Sequence, residues 1–182
     1  MTTTESGTRQ EFFTLLAAPG RSPEIAEADD LYGWLVGSWE LEALRYWGAD
    51  VSARDLRGEA HFAWVLEGRA IQDVWIMPRS GERGPSLDKK LNMYGTTLRV
   101  WDPSLGAWRI SWSNPAGDHY AQQIGRRSGT DIVQIGTRPD GTPTRWRFTE
   151  ATADSFHWLG ESLAADGQTW RLEGEFRARR IG

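Results

Sequence analysis

From position 38 onward, this 182-residue chain repeats segments in which hydrophobic and polar residues alternate. In residues 38–43, Trp39 and Leu41 lie on one face of an extended chain. Glu40 and Glu42 lie on the opposite face. A period of two residues is typical of a β-strand with one buried face, because successive side chains of a strand point to opposite sides. The pattern therefore predicts a meander of strands over most of the chain.

Segments with this period predict about ten short strands separated by turns. They cover residues 38–43, 58–64, 70–77, 91–101, 107–113, 118–125, 131–137, 144–150, 155–163 and 168–179. Asp140-Gly141 and Asp166-Gly167 are two-residue hairpin signals, because both residues tolerate a positive φ. No crossover helix separates the strands, and closing the sheet removes its exposed edges. We therefore predict an all-β fold, an up-and-down antiparallel β-barrel with a short N-terminal helix.

The first 30 residues lack this alternation and divide into a tail, a helix and a linker. The polar tail precedes Glu11–Ala18, whose apolar residues have helical spacing, and Pro19-Gly20 ends this short helix. The linker leads to the barrel, which we place at residues 31–182. Within the barrel, the Pro78–Lys90 loop is long and rich in Gly, Pro and charge, a composition typical of flaps. This loop and the short helix are predicted to gate the barrel lumen.

The amino-acid composition of the chain excludes several kinds of site and argues against several kinds of partner. The chain has no cysteine, which excludes disulfides, thiolate metal sites and a thiol nucleophile. Its net charge of −4 comes without a basic stripe, which argues against a nucleic-acid partner. The N-terminus lacks an apolar leader, and no apolar run approaches the roughly 20 residues of a membrane span, so we expect a cytoplasmic protein. Eleven tryptophans and six phenylalanines make the chain rich in aromatic residues, enough to fill much of one core.

The segment Gly37-Ser38-Trp39, preceded by a predicted helical turn at 31–36, resembles the Gly-x-Trp entry of the calycin superfamily. That superfamily includes lipocalins, fatty-acid-binding proteins and nitrobindins. Residues 94–112 are similar to uncharacterised bacterial calycin-like domains. The resemblance implies a barrel that binds its ligand in the lumen. It also implies that an arginine near the end of the chain, Arg177 or Arg179, stacks over Trp39.

The phase of Trp39 and Trp108 predicts which side chains face the lumen. The aromatic ones are Phe62, Trp64, Trp75, Trp112, Trp146, Phe148, Trp158 and Trp170. The polar ones are Asp73, His119, Gln123 and Gln134, which Tyr94 and Thr96 are expected to join. Our candidate ligand-binding residues among all of these are Trp64, Trp75, Trp112, Gln123, Gln134 and Trp158.

Asp73 is the predicted lumenal residue that most needs a partner, because a buried carboxylate is unfavourable unless it is paired or hydrogen-bonded. It either pairs with Arg45 or Arg99, or it anchors a ligand or acts as a base. His119 follows a turn and should lie at a barrel rim, where a histidine can contact a ligand. Asp73, Tyr94 and His119 together form the candidate catalytic set.

Three functions remain open at this level. The first is binding of a small apolar or aromatic molecule that stacks on tryptophans. The second is a cofactor-free cyclase or isomerase that acts on a natural-product-like substrate. The third is haem binding, which the resemblance to nitrobindins implies. Their haem-ligating histidine lies close to the C-terminus, whereas residues 168–179 here contain none.

Further expectations concern the orientation of the two remaining histidines, the cofactor and the oligomeric state. His61 and His157 are predicted to face outward, and the spacing of the histidines predicts no metal site. We therefore expect no cofactor, with haem as the alternative. Whether the protein is an enzyme stays open, as does its oligomeric state, for which a homodimer is one alternative. So many indoles could also fill the lumen and leave no pocket.

Overall fold

The computed structural model describes residues 3–84 and 87–181 of the chain. One α-helix precedes a series of strands, and short 3₁₀ turns lie in the connections. The helix is α1 (Thr3–Leu16), and the strands are β1 (Gly37–Tyr46), β2 (Ala49–Asp50), β3 (Arg57–Val65), β4 (Ala70–Met77), β5 (Met93–Asp102), β6 (Ala107–Asn114), β7 (His119–Ser128), β8 (Asp131–Thr137), β9 (Pro143–Thr149), β10 (Ser155–Leu163) and β11 (Trp170–Ile181). The alternation in the sequence therefore predicted the positions of the strands well.

The strands form one closed antiparallel barrel. All of them except the short β2 pair in chain order, and β1 also pairs with β11, which closes the sheet into a ten-stranded barrel. Along this last pairing, Ser38 lies opposite Ile181 and Ala43 lies opposite Phe176. Hairpins join most neighbours, as the turn signals indicated. The predicted all-β, up-and-down barrel with an N-terminal helix is thus confirmed.

Residues 17–36 cover one end of the barrel, which we call the closed end. Ala17 forms a β-bridge with Val65, and the indole Nε1 of Trp108 donates a 2.8 Å hydrogen bond to the carbonyl oxygen of Asp29. The fully buried Tyr32 then packs edge-to-face on Trp108, with ring centres 5.2 Å apart. Such aromatic contacts add to the free energy of burying the rings. This half of the lumen is therefore a solid aromatic core.

An arginine clamps Trp39 at the closed end, but it is Arg180. Its guanidinium carbon lies 4.2 Å from the centre of the Trp39 ring, and its nitrogens donate to the carbonyl oxygens of Val36 and Trp34 at 2.9 and 2.7 Å. The prediction of Arg177 or Arg179 was wrong because both point outward. Arg180 lies opposite Trp39 in the β1–β11 register, and paired residues share a face.

The N-terminal region differs from its predicted form. Helix α1 begins at Thr3, so it includes most of the predicted polar tail, whose first two residues lie outside the described part of the chain. Phe12, Phe13 and Leu15 are exposed, so the helix does not bury an apolar face. Leu16 accepts a hydrogen bond from Leu66 of the β3–β4 turn, which places the helix at the closed end. None of the described helices is long and apolar enough to cross a membrane.

Candidate functional site

The opposite end of the lumen contains a cavity of about 90 Å³. We call this end the mouth, since it lies where β1 ends at Tyr46 and β7 begins at His119. Tyr46 and His119 line the cavity, together with residues from most of the barrel strands. One water molecule needs a cavity of roughly 10–15 Å³, so this cavity has room for several non-hydrogen atoms of a ligand.

Tryptophans line the cavity without filling it. The ring of Trp158 lies on Gly160 and Gly174, where an added Cβ would come within 2.7 and 2.9 Å of the ring. The ring of Trp112 lies in the same way on Gly95. Because glycine has no side chain, each indole can lie against the barrel wall instead of extending across the lumen. The mouth half of the lumen therefore stays open between aromatic walls.

A buried ion pair lies at the inner end of the cavity. Asp73 is paired with Arg99, and the other carboxylate oxygen of Asp73 accepts a 2.7 Å hydrogen bond from the backbone N–H of Thr97. Arg99 also stands over the ring of Tyr32, with its guanidinium carbon 5.1 Å from the ring centre. Of the two predicted partners for Asp73, the structure places Arg99 on it. Both oxygens of the carboxylate are thus engaged.

His119 lies at the mouth between two indoles. Its Nδ1 accepts a 3.2 Å hydrogen bond from Nε1 of Trp112, and its ring stands edge-on to Trp47, with ring centres 4.9 Å apart. An indole N–H can only donate, so the neutral His119 ring carries its proton on Nε2. Burial, helped by the nearby charge of Arg138, lowers the pKa of His119. The neutral ring therefore offers a donor, not a lone pair, on its free nitrogen.

A second ion pair lies across the mouth. Arg138 is paired with Glu173, and Oε1 of Glu173 also accepts a 2.7 Å hydrogen bond from Ser162. Glu173 lines the cavity because β11 has an extra residue opposite β10. Gly160 pairs with Gly174, whereas the next residue on β10 pairs with Leu172, so Glu173 falls in a bulge and the side-chain phase changes.

The same bulge moves Trp170 away from its predicted place in the lumen. Trp170 lies beyond the phase change and is stacked under Arg145, whose guanidinium carbon is 4.3 Å from the ring centre. Arg145 in turn bonds Glu161 on the outer wall. Burial acts to raise the pKa of Glu161, but hydrogen bonds from Arg145 and Arg147 outweigh it and lower that pKa. Trp170 therefore belongs to an outer cluster of charges.

Tyr94 and Thr96 also lie outside the lumen, contrary to prediction. The inward residues of β5 are the odd-numbered ones from Met93 to Arg99, and Tyr94 is exposed. Tyr94 lies under Arg83 of the Pro78–Lys90 loop, at 5.1 Å from guanidinium carbon to ring centre. Residues 85 and 86 of this loop are outside the described range. The predicted catalytic set is therefore not brought together, since Asp73 is buried, His119 is at the mouth and Tyr94 is on the outer wall.

The predicted ligand-binding residues divide into two groups. Trp75, Trp112 and Trp158 line the cavity. Trp64, Gln123 and Gln134 are buried in the barrel outside its lining. Neither amide atom of Gln134 has a hydrogen-bond partner among the described residues, and the same holds for the hydroxyl of Tyr32, which lies over Gly125 next to Gln134 in the sheet. Buried polar atoms of this kind are rare, and here they are a few polar groups within a mainly aromatic core.

Among the described cavity-lining residues, His119 is the only histidine, and its Nδ1 accepts from Trp112. His61 bonds Ser38 on the exposed wall, and His157 bonds Glu175 at 2.9 Å in the phase opposite the lumenal aromatics, as predicted. No cluster of three or more His, Asp or Glu side chains among the described residues could hold a metal ion.

A wide groove of about 850 Å³ adjoins the cavity at the mouth and shares Tyr46 and Trp47 with it. Asp88 and Lys90 of the Pro78–Lys90 loop also line it, as does Pro115. The loop therefore lies beside the entrance. Helix α1, the other predicted gate, is at the closed end and so cannot cover this entrance.

Sequence reasoning missed Trp47, Arg138 and Glu173, which lie at the mouth. Trp47 had a signal, because an aromatic residue before Gly48 in a turn is poorly placed for a core. Glu173 had none, because the bulge leaves no mark in the alternation.

The fold and the cavity define a closed ten-stranded antiparallel barrel with one end plugged and an aromatic pocket at the other. A scan against protein-family models finds no match for the chain, and a search of curated proteins finds none either.

Proposed function

We propose that this protein binds a small apolar or aromatic molecule in the mouth half of a calycin-like barrel. The observation that carries the proposal is the set of glycines beneath the cavity tryptophans. Gly95, Gly160 and Gly174 hold Trp112 and Trp158 against the wall, so that indole faces surround an open space. A core selected only for stability would be filled, because empty volume destabilises a protein.

The cavity's shape and lining support a ligand that enters from the mouth. One end of the lumen is plugged by residues 17–36, so the entrance lies between Trp47 and the Arg138–Glu173 pair. A ring in the cavity could stack on Trp158 or Trp112 and extend its substituents into the adjoining groove. This arrangement supports a binding protein more than the proposed cyclase or isomerase, whose predicted acid–base residues are apart.

Titration with ethylbenzene, a probe the size of one substituted ring, tests the proposal. The eleven indole N–H signals of the labelled protein report the site directly in NMR spectra. We expect ethylbenzene to shift the signals of Trp112 and Trp158 and to leave that of Trp170 on the outer wall unchanged. Absence of any saturable shift from single-ring compounds would contradict the proposal. Native mass spectrometry of protein from its own host would then identify the natural ligand class.

A matched pair of glycine variants connects binding to the cavity. Gly160→Ala places a methyl group 2.7 Å from the Trp158 ring, which must move toward the cavity. We expect it to weaken ethylbenzene binding about tenfold, which corresponds to about 1.4 kcal/mol. Gly20→Ala is the control, since an added Cβ there meets nothing within 4 Å. Equal affinity of both variants would show that the ring binds elsewhere.

A further inference from the structure

The carboxylate that lines the cavity, Glu173, and the one paired with its lining residue Arg99, Asp73, are already engaged as hydrogen-bond acceptors. Both oxygens of Asp73 accept, one from Arg99 and one from the Thr97 backbone. Both oxygens of Glu173 also accept, from Arg138 and from Ser162. These groups hold each other in place inside the protein. They are therefore poor partners for a donor on a ligand.

Two smaller acceptors are engaged in the same way. The Nδ1 of His119 accepts from Trp112. The Oδ1 of Asn114 accepts from the backbone N–H of Tyr94 at 3.1 Å. Asn114 is buried and lines the cavity, and its amide can offer a ligand only its NH₂ group.

Two buried side-chain atoms of the described cavity-lining residues have no hydrogen-bond partner among the described residues, and both are donors. Arg99 bonds Asp73 through Nη1, and its buried Nε has no hydrogen-bond partner among the described residues. Trp75 also lines the cavity, and its buried Nε1–H has no hydrogen-bond partner among the described residues. At the mouth, Nε2–H of His119 adds a third donor. Buried donors without acceptors are unfavourable, so a ligand that brings acceptors would be favoured.

The charges around the cavity balance. Arg99 is neutralised by Asp73, and Arg138 is neutralised by Glu173. His119 is held neutral, because burial lowers its pKa. No uncompensated charge among the described lining residues would therefore repay the removal of an ionic ligand from water.

On the proposed function just described, we infer that the ligand class is neutral aromatic carbonyl compounds. Their ring stacks on the cavity indoles, and a carbonyl oxygen accepts from Arg99 and Trp75 at the inner end. A second acceptor on a larger ligand reaches His119 at the mouth. An amine on the ring would bring a hydrogen-bond donor to a site whose free groups are themselves donors. A carboxylate would enter a site whose arginines are already paired with Asp73 and Glu173.

Four single-ring probes of similar size separate these cases. They are acetophenone with a carbonyl, ethylbenzene with no polar atom, 1-phenylethylamine with a cation, and benzoate with an anion. We expect acetophenone to bind at least about tenfold more tightly than the other three, because a hydrogen bond to a charged group such as Arg99 has that magnitude. We also expect acetophenone, but not ethylbenzene, to shift the Nε1–H signal of Trp75 downfield.

Two variants remove donors while they keep an aromatic ring. Trp75→Phe should reduce the preference for acetophenone over ethylbenzene several-fold, with ethylbenzene binding retained as the check on folding. Should Trp75→Phe fail to fold, His119→Phe provides the same test at the mouth with 4-acetylbenzaldehyde, which carries two carbonyls. Trp170→Phe and His61→Phe on the outer wall are the controls and should leave every affinity unchanged.

The outcomes separate the two proposals. If none of the probes binds, the proposed function itself fails. If ethylbenzene, the amine or benzoate binds as tightly as acetophenone, the barrel is a binding protein but the carbonyl inference is overturned. The inference is also overturned if Trp75→Phe keeps the preference for acetophenone in full, or, where that variant does not fold, if His119→Phe binds 4-acetylbenzaldehyde as tightly as the parent does.

Discussion

At the scale of single residues, His119 shows how one hydrogen bond decides chemistry. Trp112 donates to its Nδ1, which leaves the proton of the neutral ring on Nε2. To act as a base from Nε2, His119 would have to change tautomer and lose the hydrogen bond that it accepts from Trp112. The residue is therefore better suited to orient a ligand than to remove a proton from one.

The lowered pKa of His119 predicts a pH dependence of stability. Because burial lowers that pKa in the folded state, the unfolded chain binds the proton more tightly. The contribution of His119 to the free energy of unfolding is therefore complete above its ordinary pKa of about 6.5. This contribution decreases as the pH falls below that value. The His119→Phe variant should lose less stability than the parent between about pH 7.5 and about pH 5.5, measured as urea midpoints. An equal loss in both proteins would contradict this.

Contacts of single residues could be predicted where the two-residue alternation of a strand was followed along its whole length. Arg99 was one of two arginines considered for Asp73, because a buried carboxylate requires a cation. Arg180 was missed, although Phe176 and Ala178 are buried on β11 and residue 180 shares their face. The alternation, continued to residue 180, places this arginine inward. The tautomer of His119 was beyond prediction, since it depends on a neighbour from the preceding strand.

At the scale of elements, the alternation predicted where strands lie and failed where their phase changes. The bulge between β10 and β11 falls at Gly160 and Gly174, whose lack of side chains hides it from any pattern of hydrophobicity. As a result, Trp170 lies on the outer wall and not in the lumen as predicted, and Glu173 lines the cavity. The mouth of the site is built around this bulge, so the least predictable element shapes the candidate site most.

Helix α1 makes an element-scale prediction. Its apolar side chains are exposed and it joins the barrel at the closed end. Deleting residues 1–15 should therefore change the thermal midpoint by less than about 2 °C, because little apolar surface leaves a buried environment. Ethylbenzene affinity should stay the same. A marked loss of affinity would mean that the helix acts on the mouth after all, and calorimetry with the same NMR titration would detect it.

At the scale of the whole molecule, the barrel is held shut where its first and last strands meet. Arg180 joins β11 to the segment before β1 through hydrogen bonds to Trp34 and Val36, and to the β9–β10 turn through a 2.8 Å bond to Ala153. It also covers the face of Trp39. A single side chain thus ties three parts of the chain together.

Arg180→Ala should lower the free energy of unfolding by about 3 kcal/mol. That figure combines hydrogen bonds of a charged donor with a cation–π contact. Arg179→Ala is the matched control, since Arg179 is the exposed neighbour on the outer face and should contribute within about 0.5 kcal/mol. Urea denaturation of both variants measures the difference. Similar free energies of unfolding for the two variants would show that Arg180 does not help to close the barrel.

The pairing of β1 with β11 also has a consequence for the order of events in folding. The other neighbouring strands of the barrel lie close together along the chain, so their hairpins can form after short loop closures. The β1–β11 seam must instead join residues 38 and 181, and it gains its contacts only when the rest of the meander exists. We therefore expect the seam to form late on the folding pathway and to open first on unfolding. Changes there would accelerate unfolding and leave the folding rate almost unaltered.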